Sequence, residues 1–367
     1  MDITRAVTYA CEKQEIPFVT HERTWFGNGI QLIPNGNCLS LIEINRIAAD
    51  FSDKPLLRHQ ARLAGQLIGE RFLQKNSLEW RVYNKNAKRA DWPLETAGKR
   101  VLILPSSKNE FSGHPEWISG WSDNTHALDD LFEAFSINSD QVVLRCHPNW
   151  AEKIGRTTGE RSTRLYEEWA KKRGIFYFGS GEKANTYDLI QQADIVVLNG
   201  GSSAVEAGAC GKQVICLGPA TYEDAGFVRV FKNRESLSCE NALNPINSDD
   251  VMRLTLRFLY VASSRFPQFV NHIRAIETTR YQYVEGADPN RLVDIIKSGR
   301  ISADDPTFGV DETEENLIIE MLKAKSWEIL SKHSNENKSR KLVSINRRYG
   351  LGWIDNIRSM FEKGDRG

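Results

Sequence analysis

The 367-residue chain has no excess of charge of either sign, with 48 Lys and Arg against 48 Asp and Glu. That balance removes the electrostatic case for nucleic acid as a partner. Long apolar runs are missing too: none approaches the roughly 18 residues a membrane span needs. The start, Met1-Asp2-Ile3-Thr4-Arg5, shows no secretory pattern. Cysteines are few and scattered (Cys11, Cys38, Cys146, Cys210, Cys216, Cys239), with no CxxC spacing. This argues against a disulfide framework or a zinc site and fits a reducing cytoplasm. No GxxxxGK[ST] loop, no GxGxxG followed by an acid, no HExxH and no GxSxG elbow is present, so P-loop, dinucleotide, zinc-hydrolase and esterase readings drop out. No metal or cofactor is expected. There is neither an internal repeat nor a low-complexity tract. Tryptophan, at nine residues, is the exception to this scarcity; indoles suit sugar platforms, but the plainer reading is core and rim.

What is present centres on residues 194–218. Ile195 to Leu198 is a short aliphatic run, apolar on both faces, which predicts a buried parallel strand. Asn199-Gly200-Gly201 supplies a tight turn. Ser203 with Glu206 has capping-box spacing, so a helix starts at or next to Ser203 and ends at Gly211. Val214 to Leu217 is a second buried strand. A glycine turn feeding a helix start presents free N–H groups to a phosphate or carboxylate.

Taken in order, residues 4–13 read as a helix and Ile16 to Val19 as a strand. The loop after it holds His21, Glu22, Arg23, Gly27 and Gly29, either a site rim or an ordinary surface turn. Leu39 to Ile44 reads as a strand and Pro55 to Phe72 as an amphipathic helix. A boundary falls near Gly98. From Val101 strands and helices alternate (101–105, 125–135, 141–147, 162–172, 175–178, 186–192, then the central unit), which predicts a parallel, right-handed, Rossmann-like sheet. Residues 249–262, 269–283, 290–297 and 313–330 read as helices, 331–341 as a polar linker and 347–361 as a terminal amphipathic helix.

Four loops leave the carboxyl ends of the sheet strands: 106–113, 145–150, 199–206 and 219–226. They carry Lys108, Asn109, Glu110, Arg145, His147, Ser202, Ser203, Glu206, Tyr222 and Glu223, a cation-and-donor set for a phosphate with carboxylates for hydroxyls. Alternation puts Arg145 and His147 on one face. His147 on its own would read as a bonded, half-buried histidine. Glu206 has two open readings, as a capping residue or as a ligand of ribose hydroxyls.

These loops also carry a resemblance. Leu104-Pro105-Ser106-Ser107-Lys108-Asn109-Glu110, Arg145-Cys146-His147-Pro148, Asp188-Leu189-Ile190 with Ala193-Asp194-Ile195-Val196-Val197, and Ser202-Ser203-Ala204-Val205-Glu206-Ala207 with Gly211-Lys212-Gln213-Val214 and Tyr222 resemble the bacterial capsule polysaccharide biosynthesis and export family. That family includes retaining Kdo transferases of GT-B-like fold that use a CMP-sugar. The similarity spans about residues 16–227 and is strongest over 101–226. It implies an α/β, GT-B-like protein with two Rossmann-like domains and an interdomain cleft: an abbreviated amino-terminal acceptor-side domain (1–98), a nucleotide-sugar-binding domain (99–245), a helical region packing back on both (246–330) and a polar linker with a terminal helix (331–367).

The implied activity is a cytoplasmic glycosyltransferase of surface polysaccharide assembly, with at most peripheral contact with the inner membrane. Its donor would be a nucleotide sugar, CMP-Kdo being one candidate, and its acceptor a glycan or glycolipid; capsule assembly or export proteins are implied partners. Carried across, Glu110 is the nucleophile or base and Glu22 its acid/base partner. Lys108, Asn109, Arg145, His147, Ser202, Ser203, Glu206 and Tyr222 hold the donor. The chain departs from the family in having Glu110 for Asp and Gln213 for Pro. The alternatives are a non-catalytic sugar- or partner-binding member of the export machinery, and another GT-B enzyme using a UDP-sugar.

Overall fold

A computed structural model describes residues 2–27, 29–75, 87–106, 113–151, 156–238, 244–270, 272–277, 280–284, 288, 290–332, 342–343 and 353. The organising element is a six-stranded parallel sheet: β3 (Val101–Leu104), β4 (Val142–Arg145), β5 (Phe176–Phe178), β6 (Ile195–Leu198), β7 (Gln213–Cys216) and β8 (Val228–Val230). Its spatial order is β5-β4-β3-β6-β7-β8. Counted within the sheet this is 3-2-1-4-5-6, the Rossmann order. β3 and β4 are buried throughout because helices cover both faces. α4 (Asn124–Phe135), α5 (Arg156–Arg173), α6 (Thr186–Gln192) and α7 (Ser203–Ala209) are crossovers. β8 answers to no strand expected from the sequence; three residues are too few for periodicity to register.

Ahead of the sheet lie α1 (Asp2–Lys13), an antiparallel hairpin of β1 (Val19–Arg23) and β2 (Ile30–Pro34), α2 (Ile42–Ser52) and α3 (Arg58–Phe72). The expected strand over 39–44 is instead the approach to α2 and its first turn. Ile44, Ile47 and Ala48 are buried at helical spacing, and that face decides it.

After the sheet come α8 (Arg234–Leu237), α9 (Ser248–Tyr260), a π-turn over Val261–Arg265, α10 (Asn290–Ser298), α11 (Thr313–Lys323) and α12 (Trp327–Ser331). α9 touches α2, α3, α7 and α11, tying the amino-terminal helices to the sheet. Gly69 lets α12 lie on α3: a Cβ there would stand 2.8 Å from the Trp327 carbonyl oxygen.

Two helical expectations fail. Residues 269–283 hold antiparallel strands, β9 (Ile273–Glu277) and β10 (Arg280–Val284), joined by the short β11 (Leu342–Val343). The run is rich in β-branched and aromatic residues that suit strands. The single helix expected over 313–330 breaks at Lys325, whose φ is +52°. The terminal helix expected over 347–361 lies almost wholly outside the described residues. Among the described residues no helix is long and apolar enough to cross a membrane.

One continuous core runs from Ile33, Ile44 and Ile47 through Ala61 and Ile68 to Leu102, Val196, Val205 and Leu256. A second lies on the other sheet face, under Leu128, Leu131, Trp150 and Trp169.

Candidate functional site at the sheet switch point

Strand order reverses between β3 and β6, and in open α/β sheets the crevice beyond the carboxyl ends at such a point is where ligands bind. Register puts four strand ends level. Ile103 pairs with Leu144, Leu104 with Leu198, and Leu198 with Cys216. The segments after them therefore emerge side by side: Pro105-Ser106, Cys146-His147, Asn199-Gly200-Gly201 and Leu217-Gly218.

The crevice floor is tightly bonded. Ser106 donates from its backbone N–H (2.7 Å) and its hydroxyl (2.9 Å) to Asn199 Oδ1, fastening the exits of β3 and β6 together. Gly200 has φ +108°, and a Cβ there would sit 3.2 Å from the Pro219 carbonyl oxygen. Only glycine suits both constraints. The buried Tyr222 hydroxyl donates to the Gly201 carbonyl at 3.0 Å. Burial first, then the neighbouring Cys216, push its pKa well above the usual range, so Tyr222 stays a neutral donor.

Ser202 and Ser203 are half-buried at the start of α7, and the Ser202 side chain makes no cap bond. Glu206 is 1% exposed. Its Oε1 accepts from Arg71 Nε of α3 at 2.5 Å, across 135 residues of sequence, while Oε2 is buried with no hydrogen-bond partner. The Arg71 guanidinium also lies 5.2 Å over the Phe26 ring. Arg71 is a partner that neither of the two readings weighed from the sequence included. No local pattern pointed to Arg71, because a long-range pair leaves no periodic trace.

Arg145 is 2% exposed. Its guanidinium donates to the carbonyls of Cys146 (3.1 Å), Gly179 (2.6 Å) and Glu182 (2.8 Å), holding the loop after β5 onto the end of β4. His147 is half-buried; its Nδ1 accepts from the Asn149 N–H at 3.2 Å, and its ring lies 6.0 Å from Trp150. Lys108, Asn109 and Glu110 lie outside the described residues. Glu22 is exposed on β1, accepts from the Arg23 N–H and sits opposite Gln31 in the hairpin. Arg145, His147, Ser202, Ser203, Glu206 and Tyr222 thus lie on segments at or beyond the carboxyl ends of neighbouring strands. Tyr222 is bonded to the Gly201 carbonyl beside the two serines, while Arg145 turns to the loop after β5 and Glu206 to α3. Glu22 lies apart in sequence, on the β1–β2 hairpin.

The two sides meet at a seam the sequence did not announce. A small cavity of about 20 Å³ is lined by Trp25, Phe26, Gln31, Cys38, Trp117 and Thr221, among others. Glu116 and Trp117, on a turn beyond β3, bond to residues 39–41 just ahead of α2.

No protein-family model and no curated protein sequence matches the chain. Among solved structures it is similar to the Thermosulfurimonas dismutans KpsC beta Kdo 2,4 transferase, at 15% identity over 86% of this chain and 83% of that one, with a TM-score of 0.43. It is similar also to the beta Kdo 2,7 transferase of the same organism's KpsC, at 17% identity over 86% and 82%, with a TM-score of 0.35. A third similar structure is the trehalose-6-phosphate synthase OtsA, at 10% identity over 68% and 52%, with a TM-score of 0.32.

Proposed function

We propose that the chain is a glycosyltransferase of capsular or other surface polysaccharide assembly that binds a nucleotide-activated sugar at the switch-point crevice. One observation carries the reading. The motif segments that resemble the capsule family, drawn from 104–106, 145–148, 188–197 and 202–222, belong to neighbouring strands and crossovers of one sheet, and the residues this reading assigns to the donor lie on segments at or beyond the carboxyl ends of those strands. In this reading the donor phosphate meets Ser202, Ser203 and His147. Glu110 is the nucleophile or base, and Glu22 approaches from the hairpin. A CMP-activated Kdo is the donor that the resemblance favours. The acceptor is a glycan or glycolipid at the cytoplasmic face of the membrane. Capsule assembly or export proteins are its partners, and the phosphate charge is met by side chains without a metal.

The test is thermal stabilisation by CMP, UDP and GDP sugars. A true donor at 100 times its Kd stabilises the fold by about 2.7 kcal/mol. His147→Ala should remove most of that shift for the same ligand. No shift with any nucleotide, or one that His147→Ala leaves intact, would refute the site. Glu110→Gln should abolish transfer while the shift survives.

A second reading has its own support. Arg145 and Glu206 already have internal partners, so two of the side chains assigned to the donor are committed to the fold. A non-catalytic member that binds a sugar or partner for export would keep this arrangement. It would show binding without turnover and would tolerate Glu110→Gln.

A further inference from the structure

α2 begins without a cap of its own. Its N-cap residue, Leu41, has no side-chain oxygen, and no side-chain cap bond is made from within the segment. The orphan donors are met from 75 residues away. Glu116 accepts from the Leu41 N–H at 2.6 Å, the Ile42 N–H at 3.3 Å and the Ser40 hydroxyl at 2.9 and 3.0 Å. Next to it Trp117 Nε1 donates to the Leu39 carbonyl at 2.8 Å.

Glu116 and Trp117 sit on a short 3₁₀ turn, residues 115–117. Its far side is anchored to the sheet, where the Gly120 N–H donates to the Lys232 carbonyl at 2.8 Å and the Trp121 indole to that of Phe231 at 3.0 Å. Its near side starts at Gly113, which has φ +82°. The turn is therefore fastened to the sheet at one end and bonded across to the amino-terminal elements. Glu116 is half-buried, so its carboxylate can regain water once the bonds break.

We propose that the 114–117 turn is a latch across the seam between the amino-terminal elements and the sheet, with Glu116 as its bolt, and that its release opens the cavity lined by Trp25, Cys38 and Trp117. The inference rests on the seam alone and does not need the sugar-nucleotide reading. Charge-assisted bonds to a carboxylate suit such a role, being directional and strong when made and replaceable by water when not. Cys38, half-buried in the cavity lining, reports on the latch. Burial, then the Glu22 charge, raise its thiol pKa, and opening relieves the larger of the two.

The test follows alkylation of Cys38 by N-ethylmaleimide in the full chain under native conditions, read by peptide mass spectrometry with Cys11 as internal control. Glu116→Ala should speed the Cys38 reaction by roughly tenfold, about the factor that losing one such bond set releases, and leave Cys11 unchanged. Equal rates overturn the latch. A frayed helix start would also expose Cys38, so Glu116→Ala is repeated with Ile42→Asp. The Ile42 residue is 64% exposed and bonds to the turn through its backbone N–H, so an acidic side chain there supports the helix start while leaving that N–H in place. Slow alkylation restored in the double variant makes Glu116 a helix cap only and overturns the proposal; continued fast alkylation supports it. Should Glu116→Ala fail to fold, Glu116→Gln decides, since it keeps the size of the side chain and removes the charge from the bonds to residues 40–42. A faster Cys38 reaction supports the latch and an unchanged one overturns it.

Discussion

A buried carboxylate needs a counter-charge, and Glu206 has one in Arg71. Removing one member of such a pair strands the other, whereas replacing both by apolar groups of similar size is often neutral. Arg71→Met should therefore cost about 3–5 kcal/mol by urea denaturation, and Arg71→Met with Glu206→Leu should recover most of it. A single variant as stable as the parent would show that the pair carries little. The sequence made Glu206 conspicuous through its spacing from Ser203, yet neither reading of it, as a local cap or as a ligand of ribose hydroxyls, involved a distant arginine. Arg145 is similar: strand alternation placed it, but the carbonyls of Gly179 and Glu182 that occupy it arrive only with the fold. Asp305 supplies a pH dependence. Burial pushes its pKa up, but bonds from Thr307, Tyr260 and Gln60 outweigh that and hold it below the ordinary value. A depressed carboxylate contributes stability that is full above its unfolded pKa and lost as pH falls through the folded one. Stability should fall between about pH 5 and pH 2, and Asp305→Asn should flatten part of that slope. An unchanged slope would assign the acid loss to other groups.

Among elements, the strand-helix alternation after Val101 was plain in the sequence because each strand is an aliphatic run and each crossover has one apolar face. The break between α11 and α12 was not. Leu317, Ile318, Met321, Leu322 and Trp327 keep a helical rhythm across it. The chain nevertheless turns at Lys325, where the Ser326 N–H donates to the Met321 carbonyl at 2.9 Å and the Lys325 N–H to that of Leu322 at 3.0 Å. That is a Schellman closure with lysine where glycine is the usual residue. Lys325→Gly removes a left-handed penalty of about 1–2 kcal/mol and adds back some unfolded-state entropy. The net gain should be about 0.5–1 kcal/mol, read as a higher urea midpoint; a loss would show that the lysine side chain contributes more than the strain costs. The strands over 273–284 escaped because apolar and aromatic residues in a short polar stretch satisfy either period.

For the whole molecule, a parallel sheet was legible but its strand order was not. Handedness restricts the crossovers without saying that β6 returns beside β3. It is this return that creates the switch point, and with it the candidate crevice. The amino-terminal helices and the sheet share one core, running from Ile47 and Ile68 through Val205 to Leu256. Division of the chain into separately folding halves would cut that core. Unfolding in urea should accordingly follow one transition, with tryptophan fluorescence and far-ultraviolet circular dichroism coincident. Two separated midpoints would show that the shared core does not couple the parts.

The long reach of Glu116 also bears on how the polypeptide is made. Ile42 and its cap are 74 residues apart in the chain. While the ribosome is still translating the segment between them, the first turn of that helix has nothing but water to satisfy it. The hairpin and its neighbouring helices can gather early, but this end stays unfinished until the first sheet strand and the turn beyond it have emerged, so the amino-terminal third is completed by residues synthesised well after its own.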